Sequence, residues 1–143
     1  MDGLLCLLYM SRATREMTTG EINLLLERAR ARNASLGVTG ALLHYGGRFI
    51  QVLEGDADAV EGCFRRILDD PRHAQVTRLH GEPIEAPRFR EWSMRYISAT
   101  GTADRAVEAF LDRLERQPTP DSVRQAIALL HRLSSGSADW QAR

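Results

Sequence analysis

The sequence VTGALLHYGGRFIQVLE, residues 38–54, carries the strongest structural pattern in this 143-residue chain. Its two halves, residues 38–45 and 48–54, are rich in aliphatic, β-branched and aromatic side chains. Gly46 and Gly47 separate them, and two glycines between such runs are typical of a two-residue β-hairpin turn. The stretch therefore predicts two adjacent antiparallel strands.

A strand and a helix are predicted before this hairpin. Residues 4–9 form an apolar run that is too short for a helix and is typical of a strand buried on both faces. Thr18 and Glu21 have the spacing of a capping box. A helix is expected to begin there and to run to about Arg32 or Asn33.

A second helix and two strands are predicted after the hairpin. Asp56 or Asp58 can cap the helix, which should end before Pro71 because the residue before proline disfavours helical geometry. Residues 76–80 and 93–97 have the composition of strands. The order β-α-β-β-α-β-β predicts an α+β, ferredoxin-like fold, with a mostly antiparallel sheet and two helices on one face.

Two amphipathic helices are predicted in the remaining sequence, at residues 103–117 and 122–133, separated by Pro118-Thr119-Pro120. Short amphipathic helices are not stable alone, and the first strand is apolar on both faces. We therefore expect these helices to cover the other face of the sheet. The expected divisions are a domain at residues 1–97, a helical extension at 98–133 and a tail at 134–143.

Composition excludes several functional classes. Nineteen basic and nineteen acidic side chains cancel, which disfavours a general nucleic-acid binder. Every basic residue is arginine, so a Schiff-base lysine and a Walker-A lysine are excluded. No apolar stretch approaches the roughly 20 residues that span a bilayer, and the N-terminus does not resemble a signal peptide. We expect a cytoplasmic protein without a metal site, because the two cysteines and four histidines lack metal-ligand spacing.

Polar residues are predicted in the sheet core. Period two places Phe49, Gln51 and Leu53 on one face of the second hairpin strand, and places Tyr9 on a face of the first strand. A buried carboxamide without partners costs about 1–3 kcal/mol. Gln51 must therefore meet another polar side chain, water or a ligand. A simple Gln51–Tyr9 pair joining two strands is the plain alternative.

Other residues allow a functional and a structural interpretation. Asn33 can be a helix C-cap or can direct its amide towards the hairpin. Trp92 and Met94 alternate along a predicted strand, which predicts that they share a face, either as core residues or at a site. The charged residues near the end of the second helix fit a solvated helix end or a site for an anionic ligand such as a diphosphate. They are Arg65, Arg66, Asp70, Arg72 and His73.

Five separated segments together resemble the BLUF domain, the blue-light-using flavin photoreceptor module. They are YMS (9–11), NASLGVTG (33–40), RFIQVLEG (48–55), DPRH (70–73) and FREWSM (89–94). Their order and spacing agree with the family over about residues 3–97, and RFIQVLEG with VTG upstream is a highly specific combination. The family's fold is the one predicted above.

The resemblance implies the roles of individual residues. Tyr9 matches the photoactive tyrosine and Gln51 the switching glutamine, while Trp92 and Met94 match the signalling pair. Asn33 matches the asparagine at the flavin ring, and Arg32 a variable position near the cofactor. Four further residues match the segment that, in the family, holds the ring's O2 side or the ribityl chain and phosphates. They are Arg66, Asp70, Arg72 and His73.

The resemblance also implies a function. FAD would bind non-covalently between the first two helices, and light would drive electron and proton transfer from Tyr9 with rearrangement of the Gln51 hydrogen bonds. No substrate turnover is expected, because the sequence after residue 97 is too short for a cyclase or phosphodiesterase. The signal would pass through Trp92 and Met94 to the C-terminal helices, and from there to a partner protein or to an oligomer of the chain itself.

Two other functions remain open at this point. An acylphosphatase-like hydrolase has the same element order, but it needs a phosphate-binding loop after the first strand, and YMSRAT (9–14) contains no glycine to form one. A flavin-free, ferredoxin-like regulatory or interaction module would keep the scaffold alone. The colour of the purified protein distinguishes this module from a flavoprotein.

Overall fold

The computed structural model describes residues 3–98, 105–135 and 141–142. The strands in these residues are β1 (Leu4–Ala13), β2 (Thr39–Tyr45), β3 (Arg48–Asp56), β4 (His73–Ile84), β5 (Arg95–Ser98) and β6 (Gln141–Ala142). The helices are α1 (Thr19–Leu36), α2 (Ala57–Leu68), α3 (Arg105–Arg116) and α4 (Pro120–Ser134). The predicted order of elements is confirmed from β1 to α4, β6 was not predicted, and the other differences lie in where elements begin and end.

The strands form one mixed sheet in the order β4-β1-β3-β2-β5-β6. The β2–β5 pair is parallel and the other pairs are antiparallel. Helix α1 connects β1 to β2 across β3, and α2 connects β3 to β4 across β1, as in a ferredoxin-like fold. The predicted hairpin turn is confirmed, with Gly46 at φ 58° and Gly47 at φ 75°.

The helix ends follow from a few local interactions. Thr18 and Glu21 form the predicted capping box, and Thr119 caps α4 with Pro120 at its first position. Helix α1 extends past the predicted end to Leu36, because Gly37 adopts φ 70° and provides a left-handed cap. Asn33 is therefore inside the helix, and its interpretation as a C-cap was wrong.

The sheet separates two cores. One core lies between the sheet and helices α1 and α2 and includes Leu7, Leu26 and Leu53. The other includes Leu8, Val52 and many side chains of α3 and α4. The C-terminal helices therefore cover the second face of the sheet, as predicted.

Strand lengths differ from the prediction at several ends. Strands β1 and β4 are longer than the apolar runs that predicted them, because their outer residues complete the β1–β4 ladder. Strand β5 begins only at Arg95, two residues later than expected. Within the segment expected as a tail, Gln141–Ala142 pair with β5. The described residues include no helix long and apolar enough to cross a membrane.

Candidate functional site

A cleft opens between α1 and α2 above the central strands. Its walls surround about 950 Å³ of space between atoms, part of which is open solvent. Its walls are apolar side chains such as Leu26 and Ile67. Its polar lining consists of Tyr9, Arg28, Arg32, Asn33, Gln51, Arg66, Asp70, Arg72 and His73, with the sulfur-bearing Cys63 and Met94.

A hydrogen-bonded chain of three buried side chains forms the base of the cleft. Tyr9 and Gln51 are direct cross-strand partners of β1 and β3, so their side chains meet on one face of the sheet. The Tyr9 hydroxyl donates to Gln51 Oε1. Gln51 Nε2 then donates to Met94 Sδ at 3.1 Å. The sequence pattern predicted the shared face of Tyr9 and Gln51 correctly.

The described contacts leave the amide nitrogen of Gln51 with only a weak hydrogen bond. Its nitrogen carries two donors, and its described partner is a thioether sulfur, which is a weak acceptor. Gln51 is buried, with 7% of its surface exposed. A buried amide of this kind is suited to a ligand that carries a stronger acceptor, such as a ring carbonyl.

Burial keeps Tyr9 protonated. The side chain is 1% exposed, and removal from water raises the pKa of its phenol well above the usual value near 10. Its ring contacts those of Phe64 and His73 at centroid distances of 5.7 and 6.2 Å. Tyr9 therefore holds its proton against Gln51 over the whole physiological pH range.

Asn33 lines the cleft and also binds the main chain just before β5. Its Nδ2 donates to the main-chain carbonyl of Ser93 at 2.9 Å, and its Oδ1 accepts from Cys63 Sγ at 3.7 Å. Burial raises the pKa of the Cys63 thiol, so this thiol is a donor. Asn33 lies in the last turns of α1 and lines the cleft, but its amide binds Ser93 and Cys63 and not the hairpin towards which it was expected to point.

Four guanidinium groups line the cleft, at Arg28, Arg32, Arg66 and Arg72. The Arg72 side chain donates three hydrogen bonds to the Asp70 carboxylate, from Nη2 to Oδ2 at 2.7 Å and from Nε to Oδ1 at 2.9 Å and Oδ2 at 3.1 Å. The hydrogen bonds from Arg72 lower the pKa of the Asp70 carboxyl, and the same pair raises the pKa of Arg72. This part of the cleft is positively charged and fits a flexible anionic group.

His73 completes the lining beside Tyr9. Its Nδ1 lies 2.8 Å from Ser11 Oγ, and its ring lies 5.0 Å from that of Phe49. Burial lowers the pKa of His73; to a smaller extent the Asp70 carboxylate raises this pKa and the Arg72 guanidinium lowers it. The neutral imidazole is therefore favoured in the folded chain.

Trp92 does not lie with Met94, and the prediction of a shared face was wrong. Trp92 packs into the other core, with ring centroids 6.4 Å from both Phe89 and His131. The alternation of side chains applies only within a strand, and β5 begins at Arg95, so residues 92–94 follow an irregular path. Met94 is buried against Gln51, whereas Trp92 contacts the α4 side of the sheet.

Of the site residues that the family resemblance implies, the cleft gathers all except Trp92, and Arg65 of the charged cluster also lies outside its lining. The sequence analysis missed Arg28 and Cys63. Arg28 lies one helical turn before Arg32, and this i,i+4 spacing was the signal that could have found it. Cys63 carried no such signal, because a buried thiol in an apolar stripe is ordinary core.

Comparisons with known proteins point to one family. The sequence profile of BLUF, described as sensors of blue-light using FAD, matches residues 4–95. Photoactivated adenylate cyclase subunit beta of Euglena gracilis is 42% identical over 89 residues, which make up 62% of this chain and 10% of that protein. The blue light- and temperature-regulated antirepressor BluF of Escherichia coli (strain K12) is 34% identical over 88 residues, 62% of this chain and 22% of that protein.

A solved structure matches over nearly its whole length. The dark-state structure of BlrB, a BLUF protein, has a TM-score of 0.72 and 38% identity, covering 93% of this chain and 96% of that one. The chain spans only about a tenth of the length of the photoactivated cyclases that it matches. Because the profile covers most of the chain and a BLUF structure shares its fold, this chain belongs to the BLUF family, the flavin photoreceptors that sense blue light using FAD.

Proposed function

We propose that the cleft between α1 and α2 binds FAD non-covalently and that the chain is a blue-light switch operated by Tyr9 and Gln51. The observation that carries this proposal is the buried chain of hydrogen bonds from Tyr9 through Gln51 to Met94. A phenol, a carboxamide and a thioether are redox-active or rearrangeable groups, and they meet at the base of the cleft.

The lining fits the parts of FAD. The apolar walls suit the isoalloxazine ring, and the carboxamides of Asn33 and Gln51 can exchange hydrogen bonds with its polar edge. The guanidiniums of Arg32, Arg66 and Arg72 suit the ribityl diphosphate. Asp70 orients Arg72, and His73 closes the cleft beside Tyr9.

When FAD is bound, it supplies the chromophore and, once excited, a one-electron oxidant. Tyr9 would be the electron donor of this chain. Its phenolic proton would be accepted at Gln51 Oε1 while Gln51 Nε2 gives one of its own protons to the bound flavin, so that the amide stays neutral. The Gln51 amide then exchanges donor and acceptor positions, which it can do because it carries both. Its bond to Met94 Sδ changes in the same event.

Met94 lies directly before β5, so a change at its sulfur reaches the strand that also packs against α4. We propose that α3 and α4 pass the signal to a separate effector or to a second copy of the chain, without turnover of a substrate. Size-exclusion chromatography with light scattering, in the dark and under blue light, tests the second copy. An unchanged mass in both states would reject a light-dependent oligomer.

The deciding experiment is the absorption difference spectrum of the purified chain with FAD. We expect a yellow protein whose flavin bands shift to the red under blue light and recover in the dark. The Gln51→Leu variant should bind FAD without the shift, because leucine cannot redistribute hydrogen bonds. A colourless protein that cannot be reconstituted with FAD would instead support a flavin-free module.

A further inference from the structure

The segment just before β5, residues 92–94, is held in place by hydrogen bonds to its three consecutive main-chain carbonyls. The Trp92 carbonyl accepts from the Gly40 main-chain N–H at 3.1 Å, and the Ser93 carbonyl from Asn33 Nδ2 at 2.9 Å. The Met94 carbonyl accepts from Arg30 Nε at 2.9 Å. Regular pairing with β2 starts only at Arg95, so this segment depends on these separate donors.

Two of the three donors come from one face of α1. Arg30 and Asn33 are three residues apart, which places their side chains side by side on the helix. Asn33 also lines the cleft, whereas Arg30 does not. The bond from Arg30 has a charged donor, and hydrogen bonds of this type are stronger than those between neutral groups.

Met94 is therefore fixed at two points. Its main chain is bound by Arg30, and its sulfur accepts from Gln51 Nε2. Met94 is 2% exposed and lines the cleft beside Gln51. When the Gln51 carboxamide turns, the Met94 side chain beside it has to move. The hydrogen bond from Arg30 to the Met94 main-chain carbonyl resists that movement.

We propose that Arg30 is a positioning residue that sets the lifetime of the light-adapted state by holding the Met94 main chain. The proposal rests on the switch at Gln51 described above. Arg30 acts through Met94 and leaves FAD binding unchanged. Loss of its hydrogen bond loosens Met94, so the Gln51 amide returns to its dark arrangement faster.

The test compares Arg30→Met with wild type as FAD-loaded proteins. Loss of a hydrogen bond to a charged group changes an equilibrium or rate constant roughly tenfold. We therefore expect Arg30→Met to recover in the dark about tenfold faster than wild type, with an unchanged difference spectrum. Arg30→Lys should lie between the two, because a lysine retains a charged donor with different geometry. Arg124→Met on α4 makes the same substitution at an exposed helical site and should recover at the wild-type rate.

A second measurement does not need light. In the dark state, the ¹³C-methyl NMR signal of Met94, assigned with Met94→Leu, should shift in Arg30→Met while that of Met10 in the other core stays in place. An unmoved Met94 signal would overturn the proposal. So would recovery at the wild-type rate or slower, or loss of FAD from the variant. If wild type itself shows no light-induced shift, the proposed function fails, and the NMR comparison still decides whether Arg30 positions Met94.

Discussion

Tyr9 is the residue on which the proposed photochemistry depends most directly. Tyr9→Phe keeps the ring that packs against Phe64 but removes the hydroxyl that donates to Gln51. We expect FAD to remain bound and the light-induced red shift to disappear, because phenylalanine has no dissociable proton and is a poor electron donor. Absorption difference spectra before and after blue light measure this.

The control for Tyr9→Phe is the same change at Tyr45, which is buried in the core on the opposite face of the sheet. That variant should keep a normal photocycle. The free energy of unfolding of Tyr9→Phe should fall by about 1–3 kcal/mol, since Gln51 Oε1 loses its buried donor. A normal red shift in Tyr9→Phe would show that another residue donates the electron.

At the scale of elements, the segment that leads into β5 connects the two faces of the sheet. Met94 enters the core beneath α1 and α2, and Trp92 enters the core beneath α4. The two residues are separated only by Ser93, whose carbonyl is bound by Asn33. A displacement of Met94 therefore reaches Trp92 through the main chain of a single residue.

Trp92→Ala should separate the photochemistry from the output. Trp92 has no place in the cleft, so we expect the red shift of the variant to resemble that of wild type. The loss of contacts with Phe89 and His131 should change the rate of dark recovery. Time-resolved absorption measures both quantities, and Trp92→Phe is the milder companion variant. Loss of the red shift itself would place Trp92 in the photochemical step.

Much of the fold could be predicted because its strongest determinants are local. The Gly46-Gly47 turn fixes the register of β2 against β3, and the Thr18 capping box fixes the start of α1. The period of two then places Gln51 on the face that α1 and α2 cover. Local sequence thus predicted both the scaffold and the base of the cleft.

The parts that could not be predicted depend on contacts between distant elements. Arg30 and Cys63 look like ordinary helix residues until tertiary packing brings them to Met94 and Asn33. The separation of Trp92 from Met94 depends on where β5 begins to pair with β2. No local periodicity contains that information.

For the whole molecule, two half-buried histidines predict loss of stability in mild acid. Burial lowers the pKa of His44 and His73. The unfolded chain takes up protons near pH 6.5, and the folded chain does so at lower pH. The contribution of these two histidines to the free energy of unfolding is therefore fully present above about pH 6.5. It is lost as the pH falls through their lower pKa values in the folded chain.

Urea titrations of the flavin-free protein between pH 7 and pH 5 measure this effect. The free energy of unfolding should decrease with falling pH, and the decrease should be smaller in a His44→Gln, His73→Gln double variant. The carboxyl of Asp70, whose pKa is lowered by Arg72, affects stability only near its unfolded value of about 3.9 and below, outside this range. An equal pH slope in wild type and double variant would contradict the assignment.

The last prediction concerns the two cores, which share one sheet. A chain cut after Ser98 lacks α3 and α4, so one full sheet face, including Leu8, Leu43 and Ile50, loses its cover. Exposure of a buried side chain of this size costs about 1.5–3 kcal/mol. Several such losses exceed the roughly 5–15 kcal/mol by which a domain is stable.

We therefore expect the cut chain to show no cooperative urea transition by circular dichroism and to aggregate. A chain cut after Ser135 keeps both helices and should unfold cooperatively. Cooperative unfolding of the shorter chain would show that residues 1–98 form an independent domain.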